Sequence, residues 1–206
     1  TIANDGVVFT CAQDNNTSNK AYPRSTDPAA GSARNISAVS ATTITINVGA
    51  VPIDEYITIP TSTEFGFGTG DFTIECWIKL NSVSGSQGII DFRTTGTELS
   101  PYLYVSGTGL NYYVNGNNRI TGASALAVNT WYHVAISRTG TSTKMFLNGT
   151  QEGSTYTDSN NYGSTKPITV GAAYDTTSQV MAGYVDDLRV STVARYTSTF
   201  TAPKMH

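Results

Sequence analysis

Few side chains in this sequence are suited to a reaction, and their spacing argues against one. A serine or cysteine hydrolase needs a histidine base, and the histidines are His133 and the terminal His206. His133 falls mid-strand beside Trp131, where a structural hydrogen bond is the expected role. A retaining glycosidase needs two carboxyl groups about 5 Å apart, which one strand can present at positions i and i+2. Glu75 has Thr73 and Trp77 as its same-face neighbours, and Asp187 shares its face with Arg189, which reads as an ion pair. No residue is therefore assigned a catalytic role, and no enzymatic activity is expected.

Binding chemistry is better supplied. Calcium takes oxygen ligands from carboxylates, amides and carbonyls. Such donors cluster at Asp54-Glu55, at Asp158-Ser159-Asn160-Asn161 and at Asp175. Asp186 joins them because strand alternation places it with Tyr184, Leu188 and Val190, on a partly apolar face where a carboxylate needs a partner or a metal. Asp158, Asn160, Asp175 and Asp186 are thus the candidate calcium ligands. The alternative is that Asp and Asn fill turns for backbone reasons and that Asp186 belongs to a structural network. Zinc is poorly served by two cysteines and one internal histidine. Sugar binding uses aromatic faces beside amides and carboxylates, and Leu110-Asn111-Tyr112-Tyr113-Val114-Asn115 is the richest stretch. Tyr112, Tyr113, Asn115, Tyr162 and Tyr174 are the candidate glycan-binding residues. The plainer reading is that tyrosine favours strands and that one face of a sheet commonly meets water.

The elements that must position these groups are strands. The chain has 206 residues, of which 13% are charged, with 19 Gly and 12 Tyr. That composition suits strands and turns rather than surface helices. Twelve basic residues oppose fifteen acidic ones for a net charge of −3, without a basic cluster. A nucleic-acid partner is therefore not expected. Membrane insertion is not expected either, because no apolar run approaches the roughly 20 residues a spanning helix needs.

Phe72–Leu80 is the clearest strand, with Phe72, Ile74, Cys76, Ile78 and Leu80 on one face and Thr73, Glu75, Trp77 and Lys79 on the other. Cys76 reads as a buried thiol, with a bridge to Cys11 as the alternative. Further runs are expected at residues 88–93, 102–106, 110–115, 131–138, 143–147, 167–171 and 180–190. Gly107-Thr108-Gly109, Asn115-Gly116-Asn117 and Asn148-Gly149 mark hairpin turns between several of them. Residues 1–50 read as a β-rich arm or partial domain, with strand-like runs at 7–11, 35–39 and 42–48 around a polar stretch from Ala12 to Arg34. Residues 51–206 read as an all-β sandwich.

Three blocks resemble a known family. Gly70-Asp71-Phe72-Thr73-Ile74-Glu75-Cys76-Trp77-Ile78-Lys79 looks like the opening strand of laminin-G-like, concanavalin-A-like domains of the pentraxin-like branch. Asn129-Thr130-Trp131-Tyr132-His133-Val134-Ala135, followed by Leu147-Asn148-Gly149, resembles the family's W-x-H-V-A … L-x-N-G hairpin. Gly183-Tyr184-Val185-Asp186-Asp187-Leu188-Arg189-Val190 resembles its final strand. Trp77, Trp131, His133, Asp187 and Arg189 are the signature positions. The resemblance implies a jelly-roll sandwich of two antiparallel sheets. It also implies a possible calcium cofactor, since relatives hold sugars through calcium at a sheet rim. The Glu-x-Asp-x-x-Glu motif of glucanases sharing this fold is absent.

The opening residues, including Ala21-Tyr22-Pro23-Arg24-Ser25-Thr26-Asp27-Pro28, and the closing Ala194–Pro203 are similar to segments of structural and tail-fibre proteins of marine tailed bacteriophages. That likeness implies a non-enzymatic virion module, in a fibre or a capsid decoration, acting as a homo-oligomer or within a larger assembly. Its partners would be glycans of a bacterial host surface or neighbouring virion proteins, and its place the virion surface. The alternative is an extracellular, secreted bacterial carbohydrate-binding or adhesin module.

Overall fold

A computed structural model describes residues 2–3, 6–9, 34–37, 43–47 and 56–205, the first four stretches as backbone strands. Cys11, Asp54-Glu55, most of the polar stretch and the expected boundary near residue 50 lie outside the described residues. The strands are β1 (Ile2–Ala3), β2 (Gly6–Phe9), β3 (Arg34–Ser37), β4 (Thr43–Asn47), β5 (Tyr56–Ser62), β6 (Phe72–Leu80), β7 (Ser86–Asp91) and β8 (Tyr102–Ser106). They continue as β9 (Gly109–Val114), β10 (Asn117–Thr121), β11 (Trp131–Thr139), β12 (Ser142–Leu147), β13 (Thr150–Thr157), β14 (Lys166–Val170) and β15 (Gly183–Ser191). A 3₁₀ turn spans Thr63–Phe65. Among the described residues no helix is long and apolar enough to cross a membrane.

Two antiparallel sheets face each other. One has the order β1-β2-β15-β6-β11-β12-β13, the other β10-β9-β8-β7-β14-β5-β4-β3. The jelly-roll sandwich expected from the sequence is the observed architecture. The opening fifty residues add two strands to each sheet, through β2 on β15 and β4 on β5.

Period-two alternation builds the core. Phe72, Ile74, Cys76, Ile78 and Leu80 of β6 are all buried, beside Val134 and Ile136 of β11. Leu103, Val105, Leu110, Tyr112, Val114 and Ile168 come from the opposite sheet. Each such aliphatic or aromatic side chain contributes roughly 1.5–3 kcal/mol on burial. Cys76 is a free thiol inside this core, and burial pushes its pKa well up. At one end Phe67 stacks on Phe72, with centroids 4.5 Å apart, while Tyr162 meets Phe72 edge-on.

In β15 alternation fails, with consequence. Asp186 pairs with Trp77 and Arg189 with Glu75, so the register shifts between them. Asp187, with φ +49°, occupies the resulting bulge. Val185, Leu188 and Val190 therefore share the core face. Asp186 lies on the outer face opposite Trp77, not with Leu188 and Val190 as strict alternation predicts. Its Oδ1 accepts the Asp187 N–H at 2.8 Å, which supports the bulge.

Candidate functional site

The outer face of the eight-stranded sheet gathers tyrosines. One cross-strand row runs Thr58, Thr169, Asp91, Tyr102, Tyr113, Asn118. The next runs Gly88, Tyr104, Asn111, Thr121. Tyr102 and Tyr104, two residues apart, stack in parallel at 4.9 Å, and Tyr113 meets Tyr102 edge-on. Gly88 explains how a loop reaches this face. A Cβ there would lie 2.5 Å from the backbone of Ala172, so only glycine lets the 171–182 loop cross β7. That crossing brings in Tyr174, Asp175 and Gln179, whose Oε1 accepts from the Tyr102 hydroxyl at 2.6 Å.

Beneath the rings lies a buried ion pair. Nε and Nη2 of Arg93 donate to the two oxygens of Asp91 at 2.9 and 2.7 Å. The backbone N–H groups of Arg93 and Tyr174 also donate to Asp91, each at 2.9 Å. Four donors on two oxygens require the carboxylate form. Burial lowers the Arg93 pKa, but the hydrogen bonds and charge of Asp91 outweigh it, so the guanidinium is held charged. Its Cζ lies 4.1, 4.9 and 5.2 Å from the ring centres of Tyr102, Tyr113 and Tyr174. Arg93 Nη1 and the Tyr113 hydroxyl both donate to the Gly96 carbonyl. The pair thus fixes the tyrosines from below. Tyr102 is 2% exposed, whereas Tyr104, Tyr113 and Tyr174 remain half-buried. Asn115, Asn117 and Asn118 are exposed alongside, with Asn118 Oδ1 accepting from the Tyr104 hydroxyl.

The expected glycan residues divide. Tyr113, Tyr174 and Asn115 lie on or beside this face. Tyr112 and Tyr162 do not offer their rings to solvent, because both are in the core, with hydroxyls 3.2 Å apart. Asp91 and Arg93 were not singled out from sequence. The signal available was their two-residue spacing, Asp91-x-Arg93.

The expected calcium ligands fall in three places. Asp158 is buried, its carboxylate taken by Thr143 Oγ1, the Tyr162 hydroxyl, and the backbone N–H and Nδ2 of Asn160. Asp175 is exposed and caps its own turn, accepting from the Thr177 and Ser178 N–H groups and from Ser178 Oγ. Burial opposes this, yet those hydrogen bonds leave the Asp175 pKa lowered. Asp186 is on the other sheet. Among the described residues no three His, Cys, Asp or Glu side chains gather as a metal site.

The signature residues line the outer face of the seven-stranded sheet. Glu75, 4% exposed, has His133 Nε2 at 3.2 Å and accepts from the Tyr196 hydroxyl at 2.6 Å. Arg195 Nε lies 2.8 Å from its other oxygen. The closing segment, residues 192–205, crosses this face as a strap. Thr73 Oγ1 donates to the Val193 carbonyl, and Tyr196 N–H to Ser137 Oγ. Phe200 stacks on Tyr196 at 3.5 Å and meets Phe146 edge-on. The L-x-N-G motif has a double role here. Asn148 and Gly149 form a left-handed two-residue turn, φ +49° and +81°. Phe200 N–H then bonds the Gly149 carbonyl, and a Cβ at Gly149 would sit 2.0 Å from the Phe200 oxygen. Trp131 and Tyr184 flank Lys79, whose Nζ is 5.4 and 4.5 Å from their ring centres.

The family model described as the concanavalin A-like lectin/glucanases superfamily matches residues 52–198. The chain belongs to this superfamily. No curated protein sequence matches it. Solved structures of similar fold include domain 4 of a GH43 extracellular arabinanase from Geobacillus stearothermophilus, in complex with arabinotriose. It has a TM-score of 0.55 and 12% identity over 92% of this chain and 82% of that one. The CBM40 module of a Ruminococcus gnavus sialidase, bound to α2,3-sialyllactose, gives 0.52 and 14% over 64% and 80%. A protein from Bacteroides ovatus described as a candidate carbohydrate binder gives 0.53 and 21%, over 68% of this chain and 42% of its own. This superfamily member thus spans less than half of the Bacteroides protein.

Proposed function

We propose that the chain is a non-catalytic carbohydrate-binding module, and that its binding face is the outer surface of the eight-stranded sheet around Tyr104, Tyr113 and Tyr174. The observation that carries this reading is the half-buried Tyr113 and Tyr174 held over the Asp91–Arg93 pair, with half-buried Tyr104 stacked on Tyr102 and exposed asparagine amides beside them. Sugar rings stack their C–H faces on aromatic rings, and amides bond their hydroxyls. Preorganised rings avoid much of the ordering cost of binding. Glycan-bound neighbours of the same fold support the reading. So does the commitment of the buried acids, Glu75 to its strap and Asp158 to its core network.

Display on a phage virion, where the likeness of the opening segment points, or outside a bacterial cell fits a module that recognises bacterial surface glycans. The test is binding to a panel of bacterial surface polysaccharides by the parent, Tyr113→Ala and Tyr174→Ala. Saturable binding by the parent, weakened at least tenfold in both variants, is expected. Equal binding by all three would place the site elsewhere, and absence of binding by folded, multivalent parent would overturn the reading.

A further inference from the structure

We propose that the tyrosine face selects neutral sugars and discriminates against carboxylated or sulfated ones; this rests on the carbohydrate-binding reading above. The argument is a local account of charge. Arg93 is the cation beneath the rings, and it is spent. Its Nε and Nη2 hold Asp91 and its Nη1 holds the Gly96 carbonyl, so the pair brings no net charge to the face. Arginine reads a sugar carboxylate through an open fork of donors, and this fork is closed by Asp91.

The neighbouring cations are also engaged. Lys166 pairs with Glu98, whose backbone carbonyl accepts the Asn115 N–H. Arg119 donates to the Val114 carbonyl and lies over Tyr156, on the edge that faces the other sheet. On the tyrosine face itself one charge then remains uncompensated among the described residues. Asp175 follows Tyr174 directly and is exposed, and among the described residues it has no ion-pair partner. Its oxygens are held by two backbone N–H groups and a serine hydroxyl, which fix the carboxylate in place without neutralising it. A sugar stacked on Tyr174 meets this fixed negative charge and the neutral amides of Asn115, Asn117 and Asn118. A hydroxyl donates to such groups, whereas a ligand carboxylate or sulfate is repelled by the aspartate and finds no open cation there among the described residues.

The size of the effect follows from Coulomb attraction and repulsion in a wet site. Two like charges about 5 Å apart at the dielectric of water disfavour binding by ~4-fold, and more where the site is drier. Asp175→Asn tests this cleanly, because the amide Oδ1 still caps the Thr177 and Ser178 N–H groups while the charge is lost.

The experiment takes acidic bacterial polysaccharides and the same polymers after carboxyl reduction, which turns each uronate into a neutral hexose. Parent and Asp175→Asn are titrated with both, at low and high salt. The parent is expected to bind the reduced polymers more tightly than the native ones by at least ~4-fold. Added salt should narrow that gap by screening the repulsion. Asp175→Asn should narrow it too, by gaining affinity for the acidic form alone. Tighter binding of the native, acidic polymers by the parent would overturn the inference and leave the carbohydrate-binding reading intact. An unchanged preference in Asp175→Asn would overturn the role given to Asp175. Binding of neither form would overturn both.

Discussion

The two outer faces of the sandwich use similar residues and reach opposite ends. On the seven-stranded sheet, Tyr196, Phe200, Phe146 and His133 form an aromatic cluster over a buried acid, Glu75. On the eight-stranded sheet, Tyr102, Tyr104, Tyr113 and Tyr174 form another over a buried acid, Asp91. The first is closed by the chain's own last segment, so its rings serve packing. The second is left open, and its acid is neutralised from within by Arg93 rather than by a strap. Aromatic content alone does not mark a binding face. What covers the rings, and which group answers the buried carboxylate, separates the packed face from the one proposed to bind.

Substitutions can break this contrast. The largest effect is expected from Glu75→Ala, which removes the acceptor of the strap and the partner of the buried His133 Nε2. A loss of about 3 kcal/mol in chemical denaturation is expected, with binding to glycans unchanged per folded molecule. The same group predicts a pH dependence. Burial raises the Glu75 pKa, but His133, Tyr196 and Arg195 outweigh it and leave it lowered from 4.5. Its stabilisation is therefore complete above pH 4.5 and is lost as pH falls through the lowered value. Glu75→Gln should flatten that acid limb in a melting-temperature profile.

Gly149→Ala comes next, at about 2 kcal/mol, because the turn needs positive φ and the new Cβ strikes Phe200. Limited proteolysis should then cut near residues 192–205 faster than in the parent. Asp186→Ala should cost about 1.5 kcal/mol through loss of its hydrogen bond to the bulge. The cost should be equal with calcium and with chelator, and a calcium-dependent difference would assign Asp186 to a metal. On the open face, Tyr113→Ala should behave in reverse, with tenfold weaker glycan binding, about 1.4 kcal/mol, and a melting temperature close to the parent's. The smallest effect is expected from chelation itself. Asp158 and Asp175 already accept three or more hydrogen bonds each, so EDTA should leave the melting temperature and glycan affinity where they were.

Much of the fold was readable from the sequence, because apolar alternation is strong wherever a strand covers the core. β6, β8, β9, β11 and β12 stand within a residue or two of the expected runs. β10, β13 and β5 were missed. Asn117-Asn118-Arg119-Ile120-Thr121 and Thr150–Thr157 are polar edge strands with few residues facing inward, and β5 carries Pro60 within its short apolar pattern. Their pairing comes from neighbours, not from their own periodicity. The candidate site was half legible. Tyr113, Tyr174 and Asn115 were named for their chemistry, but Tyr112 and Tyr162 share that chemistry and are buried. Burial depends on register, and the Asp187 bulge shows how one extra residue redirects a side chain that alternation assigns inward. Arg93 was overlooked because its significance lies in Asp91 and in rings from two other segments.

The strap has a consequence for how the chain reaches its native state. The bond from Tyr196 to Glu75 closes a sequence separation of 121 residues, and those from Thr73 reach 120 and 122 residues onward. Contacts so remote in sequence form late and slowly. The docking point on the Asn148–Gly149 turn exists only after β12 and β13 have paired. During synthesis the buried carboxylate of Glu75 therefore waits, half-satisfied, until residues 192–205 have left the ribosome. That segment thus acts as the step that commits the whole sandwich, and a nascent chain stopped short of Tyr196 is left without it.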